Sequence, residues 1–309
     1  DCGAEYSKWM GQCKEGYAWN TISEIRLVSA KESKKNDRFS GYAGETSGKV
    51  QALSEISLQE VPRFSSGFNE LDRVLGGGVV PGSAILIGGH PGAGKSTLLL
   101  QVMCGLSKEI PTLYVTGEES LQQVAMRANR LGLPTERLKM LSETSVEHIC
   151  SIADQEKPQI MVIDSIQVMH LSDIQSSPGS VSQVRECASF LTRYAKTRQV
   201  AIIMVGHVTK DGTLAGPKVL EHAIDASLLL EGESDSRYRT LRSQKNRFGA
   251  VNELGVFAMT EQGLREVKNP SAIFLSRSDE LVSGSSVVVL WEGTRPLLVE
   301  IQALVDHSM

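Results

Sequence analysis

No apolar run in this 309-residue chain approaches the ~20 residues needed to span a bilayer. No secretory pattern of charged start, apolar middle and small-residue cleavage site is visible either. The sequence therefore gives no reason to expect a membrane partner. It begins at Asp1 rather than Met, which leaves a lost targeting segment open. A basic excess is also lacking: 32 Lys and Arg stand against 36 Asp and Glu, for a net charge of −4. That excludes a globally cationic nucleic-acid surface and leaves only local patches or an assembled ring surface for such contacts. The five cysteines, Cys2, Cys13, Cys104, Cys150 and Cys187, are odd in number and scattered, which reads as a reducing compartment. Three of them fall in helical patterns and are expected to be small core residues. No internal repeat is evident.

What is present is an alternation. Residues 1–28 are rich in Gly, Trp and Cys without helical period, and residues 29–60 read as a flexible linker of Ser, Lys, Gly and Glu. From Val61, apolar strands are predicted at Ala84–Gly88, Thr112–Thr116, Ile160–Asp164, Ala201–Gly206 and Ser227–Glu231. Between them lie amphipathic helices at Thr97–Ser107, Leu121–Leu131, Val146–Gln155 and Val181–Arg198. Continuous apolar strands separated by helices imply an α/β fold with a mostly parallel sheet covered on both faces. Strands at Tyr238–Lys245 and Glu253–Met259 follow. Asn269-Pro270 marks a boundary, so the core is assigned to 61–268. The remaining 269–309, with strands at Ser286–Trp291 and Leu297–Leu304, is expected to be the start of an incomplete domain.

Gly89-His90-Pro91-Gly92-Ala93-Gly94-Lys95-Ser96-Thr97 is G-x-x-x-x-G-K-[ST], set between a strand and a helix as that phosphate-binding loop requires. Its backbone N–H groups and the following helix start would hold phosphates, Lys95 would reach the β- and γ-phosphates, and Ser96 would hold Mg²⁺. Ile160 to Asp164 is an apolar strand ending in an aspartate suited to the Mg²⁺ water shell. Thr112 to Thr116 leads into Glu118 and Glu119. Glu118 is the first choice for polarising water and Glu119 the alternate, with helix capping as the competing role. His207, at a strand end where such sheets bind ligand, is a candidate phosphate sensor. The loop from Lys210 to Gly216 is the element expected to move and touch DNA. In Lys245-Asn246-Arg247-Phe248-Gly249, the two cations are placed to enter a neighbouring subunit's nucleotide site if the chain forms a ring.

Together these strings resemble the bacterial RadA (Sms) family of RecA-like DNA repair ATPases. Gly88 to Thr97, Gly117 to Ser120, Gly206 to Gly212 and the 245–249 string carry the likeness. Phe64 to Asp72, Ala215 to His222 and Glu292 to Leu297 support it. The resemblance implies a RecA-like ATPase core using ATP and Mg²⁺, an N-terminal four-cysteine zinc finger and a Lon-protease-like C-terminal domain without protease activity. It further implies a cytoplasmic homo-hexamer that threads single-stranded DNA and drives branch migration with a RecA-type recombinase, an organellar relative being the other source. This chain departs in two ways. Cys2 and Cys13 are what remains of two C-x-x-C pairs, with Gly16 at a ligand position, and two ligands do not close a tetrahedral site. Zinc is therefore expected to bind weakly or not at all. The Lon-like domain has barely begun at Met309, so the chain is expected to be truncated at both ends.

The leading functional reading is a DNA-dependent ATPase motor, with Arg185, Lys210 and Lys218 as candidate DNA contacts and a mobile stretch over Met169–Ser182. A nucleotide-switched regulatory ATPase or autokinase of the circadian-clock type, and a non-translocating DNA- and RecA-binding adaptor, are the alternatives.

Overall fold

A computed structural model describes residues 62–207, 220–232, 236–275, 283–303 and 305. All belong to the second of two compact units, Tyr42–Met309; the first, Asp1–Gly41, lies outside the described residues. Cys2, Cys13, Lys210, Lys218 and the 29–60 segment also fall outside them.

Among the described residues, nine strands form one sheet in the order β3-β2-β4-β5-β1-β6-β7-β8-β9. Its parallel part comprises β1 (Ala84–Gly89), β2 (Thr112–Thr116), β3 (Lys139–Ser142), β4 (Ile160–Asp164), β5 (Ala201–His207) and β6 (Ala226–Glu231). An antiparallel extension adds β7 (Tyr238–Asn246), β8 (Leu254–Thr260) and β9 (Gly263–Glu266).

The central strands are apolar throughout because both faces are covered. Ile85, Ile87, Val162 and Ile203 point into a layer with α1 (Asn69–Leu75), α2 (Lys95–Leu106) and α3 (Leu121–Arg130). Their alternates Ala84, Leu86, Met161, Ile163 and Ile202 pack under α4 (Val146–Glu156) and α5 (Val181–Arg198). Cys104, Cys150 and Cys187 are buried free thiols in these layers, and burial pushes the last two up to about 12.

Two sequence expectations need correction. Strand β3 was not expected, because Lys139-Met140-Leu141-Ser142 lies at the sheet edge with exposed and half-buried positions rather than an apolar run. Met169–Ser182, expected from its composition to be loose, is anchored by side-chain hydrogen bonds. The buried Gln183 side chain accepts from Leu171 N at 3.2 Å and donates to the carbonyls of Ile174 and Ser176 at 3.3 and 2.9 Å.

A short helix, α6 (Ser271–Phe274), precedes a hairpin of β10 (Ser285–Glu292) and β11 (Arg295–Gln302). The hairpin meets the body through Leu297, which packs with Leu254 and Val256, and through Arg295, which forks onto Glu70 at 2.5 and 3.0 Å. No helix among the described residues is long and apolar enough to cross a membrane.

Candidate functional site

The parallel strands β1, β2, β4 and β5 end at one edge of the sheet, where α/β folds place ligands. There the 89–94 loop turns into α2. Gly94 sits at φ +104, and a Cβ on it would lie 2.6 Å from Met259 Cε. Only glycine accepts that conformation without strain. Gly89 is likewise fixed by close approach to the Leu230 carbonyl. The first turn of α2 carries no acidic residue and no side-chain cap, which leaves its N–H groups available to an anion. Lys95 is 4% exposed. Its Nζ donates to the carbonyls of Gly89 and His90 at 2.7 and 2.9 Å. Burial lowers its pKa to about 8, against the opposing pull of Asp164 and Glu118.

A cavity of about 300 Å³ opens over this loop, lined by Lys95, Ser96, Glu118, Glu119, Asp164 and His207 among others. Glu118 is held from two sides: the Ser165 hydroxyl donates to its Oε1, and His207 Nε2 lies 3.2 Å from Oε1 and 3.3 Å from Oε2. The His207 hydrogen bond, more than any other cause, holds this carboxyl below its ordinary range; the Ser165 bond and Lys95 add to it and burial opposes it. His207 Nδ1 is buried without a partner among the described residues, and its carbonyl accepts from Gln167 Nε2 at 3.4 Å.

Glu119 has a different environment. It pairs with Arg127 of α3, and its carbonyl accepts from Thr116 Oγ1 at 2.8 Å. Neither carboxylate caps α3. Ser120 does so, in a capping box with Gln123. Asp164 is buried and accepts from Tyr114 Oη at 2.6 Å through Oδ2. Its other oxygen accepts no hydrogen bond among the described residues. Burial, with the Asp164 charge and bond, pushes the Tyr114 phenol well above its usual value.

This donor set fits a nucleoside triphosphate with magnesium. Mg²⁺ takes hard oxygens, keeps most of its waters and needs one carboxylate with phosphate oxygens rather than a protein cage. Ser96 and Asp164, which would hold it, line the same cavity.

Lys245 and Arg247 do not line their own chain's cavity. Lys245 Nζ donates to the carbonyls of Glu221 and, at 2.7 Å, Ile224. Burial, then Arg247, lowers its pKa. Arg247 lies 3.2 Å from Asp225, and its side chain is 46% exposed. Asp225 is 1% exposed and also takes Lys196 Nζ at 2.8 Å and Ala84 N at 2.9 Å. Arg185 is exposed in the second turn of α5 and pairs with its neighbour Glu186. Sequence reasoning missed Tyr114, Ser165, Arg127 and Asp225. Only Ser165, next to Asp164 at a strand end, carried a local signal.

The AAA domain family matches residues 52–213. Over all of this chain, the DNA repair protein RadA of Haemophilus influenzae is 85% identical and that of Escherichia coli 74%. Over 99% of it, that of Bacillus subtilis is 50% identical. The chain spans 67% of the length of each of these relatives. With a nine-stranded, mostly parallel sheet under a phosphate-binding loop and these full-chain identities, the chain belongs to the RadA family, built on a RecA-like P-loop core.

Proposed function

We propose that this chain is the ATPase part of a DNA-dependent motor in recombinational repair, working as a homo-hexameric ring in the cytoplasm to drive branch migration alongside a RecA-type recombinase. The observation that carries the ATPase reading is the placement of Glu118. A carboxylate kept ionised by Ser165 and His207 faces the same cavity as Lys95 and the α2 N-terminus. The DNA part rests on the relatives, which are DNA repair proteins.

In this reading the loop N–H groups and Lys95 bind the phosphates and offset their charge. Glu118 accepts a hydrogen bond from the attacking water, aligns it in line with the γ-phosphorus and takes its proton. His207 holds Glu118 and reports the state of the site to the residues that follow β5. Lys245 and Arg247 serve the nucleotide of the adjoining subunit. Magnesium, when bound through Ser96 and Asp164, neutralises charge on the phosphate oxygens. Arg185, Lys210 and Lys218 contact DNA phosphates.

Steady-state ATP hydrolysis with and without single-stranded DNA, at low and moderate salt, tests this. Turnover is expected to rise with DNA, to fall back with salt, and to vanish in Lys95→Ala. Turnover indifferent to DNA would leave a nucleotide-switched regulator in place of a motor. Nucleotide binding without turnover would leave an adaptor.

A further inference from the structure

The Tyr114 hydroxyl is an unexpected group to find where it lies. The side chain is 1% exposed, inside an apolar strand and packed in the α2-side core. Phenylalanine or leucine would fill such a place without a polar atom to satisfy. The hydroxyl instead reaches the neighbouring strand, where Thr116 is paired with Asp164, and donates to Asp164 Oδ2 at 2.6 Å. A carboxylate's last torsion is broad and two-fold, so an isolated Asp164 would swing both oxygens through the cavity. One short bond from a rigid, buried phenol stops that rotation. Oδ2 is committed to Tyr114, and Oδ1, which accepts no hydrogen bond among the described residues, is the oxygen left for a ligand in the cavity that Asp164 lines with Ser96 and Lys95.

That difference bears on which cation the site accepts. Mg²⁺ requires near-octahedral geometry and keeps its waters, so a single fixed oxygen suits it. Ca²⁺ is larger, takes more ligands and readily accepts both oxygens of one carboxylate. We infer that Tyr114 is a positioning residue that limits Asp164 to one-oxygen contact with the metal's shell and so favours magnesium over calcium at the nucleotide site. The inference rests on the nucleotide–magnesium reading of the cavity.

The test measures equilibrium binding of a fluorescent ADP analogue to the full chain while free Mg²⁺ or Ca²⁺ is varied. Tyr114→Phe is expected to raise the Mg²⁺ concentration for half-maximal binding about 10-fold, the usual scale for losing an orienting partner. The Ca²⁺ curve should move less, so the preference narrows. In an Asp164→Asn background the same change should add nothing. Tyr114→Met, similar in bulk and without a donor, serves as a second variant should the phenylalanine chain not fold. An unchanged Mg²⁺ midpoint, or equal losses for both cations with a lower melting temperature, would show a core hydroxyl and nothing more. Wild-type binding that ignores both cations would overturn the metal–nucleotide reading itself. A failure confined to the variants overturns only this inference.

Discussion

His207 Nε2 lies 3.2 Å from Glu118 Oε1, joining the end of β5 to the residue two beyond β2, across the β4 strand that separates them in the sheet. Ser165, just after β4, bonds to the same carboxylate. Three adjacent strand ends thus converge on one oxygen pair, while the next residue, Glu119, lines the same cavity but is paired with Arg127. The two glutamates should behave differently. Glu118→Gln is expected to lower kcat by roughly 10²- to 10⁴-fold, the range for a general base, with nucleotide binding retained. Glu119→Gln should keep most turnover and cost about 1 kcal/mol of stability, as expected for a half-exposed pair. Single-turnover hydrolysis and thermal melts of both variants check this; equal kinetic losses would remove the distinction.

The same contact sets a pH dependence. The Glu118 carboxyl lies below its ordinary 4.5 in the folded chain, chiefly because His207 donates to it. A depressed carboxylate contributes stability above its unfolded value and loses that contribution as pH falls through the folded value. Glu118 should therefore stay ionised to lower pH than an ordinary glutamate. His207→Ala removes the leading cause and leaves burial opposing charge, so the acid limb of the kcat profile should move to higher pH. His207→Gln, which can still donate, should move it less. Identical limbs in all three chains would disprove the coupling.

Much of this was legible because the strongest signals are local. The P-loop needs glycines at fixed positions, and strands buried on both faces must be apolar end to end, so β2, β4 and α5 match their predicted bounds. Lys95, Glu118, Asp164 and His207 follow from that order, since each stands at a parallel strand's end or at the helix start beside one. What was hidden depends on pairing across the sheet. Tyr114 looks like one more core residue until the register sets its strand beside Asp164. Asp225 meets Ala84, 141 residues away. Gln183 gives no sign in sequence that it will tie down the turn before its helix.

The position of Arg247 makes a sharp prediction about assembly. Its side chain is 46% exposed and leans on the buried Asp225, and it does not line the cavity that holds Glu118. If it serves a neighbour's nucleotide, a site needs Glu118 from one chain and Arg247 from the next. Glu118→Gln and Arg247→Ala chains should each be inactive alone, yet regain part of their turnover when mixed and allowed to exchange subunits. Some interfaces would then contain both intact groups. Mixtures as inactive as the separate chains, despite proven exchange, would place Arg247's role within its own subunit.

The hairpin's attachment can be separated from the chemistry. Arg295 and Glu70 have side chains only 12% and 10% exposed. Glu70 Oε2 also accepts from Val256 N at 2.8 Å, so the carboxylate is committed to the body and Arg295 is the hairpin's contribution. Removing one partner of a buried pair leaves the other's charge uncompensated, which costs about 3–5 kcal/mol. Arg295→Ala should therefore cost about 3 kcal/mol, near the lower end because both groups keep some water. Arg295→Met combined with Glu70→Gln removes both charges and should recover much of that loss. The cost should be local. Amide exchange should rise along β10 and β11 and at Val256, while amides of β1, β4 and β5 keep their protection, because those strands are paired within the parallel sheet. Equal loss of protection in both regions would mean that the hairpin and the ATPase core unfold as one cooperative unit.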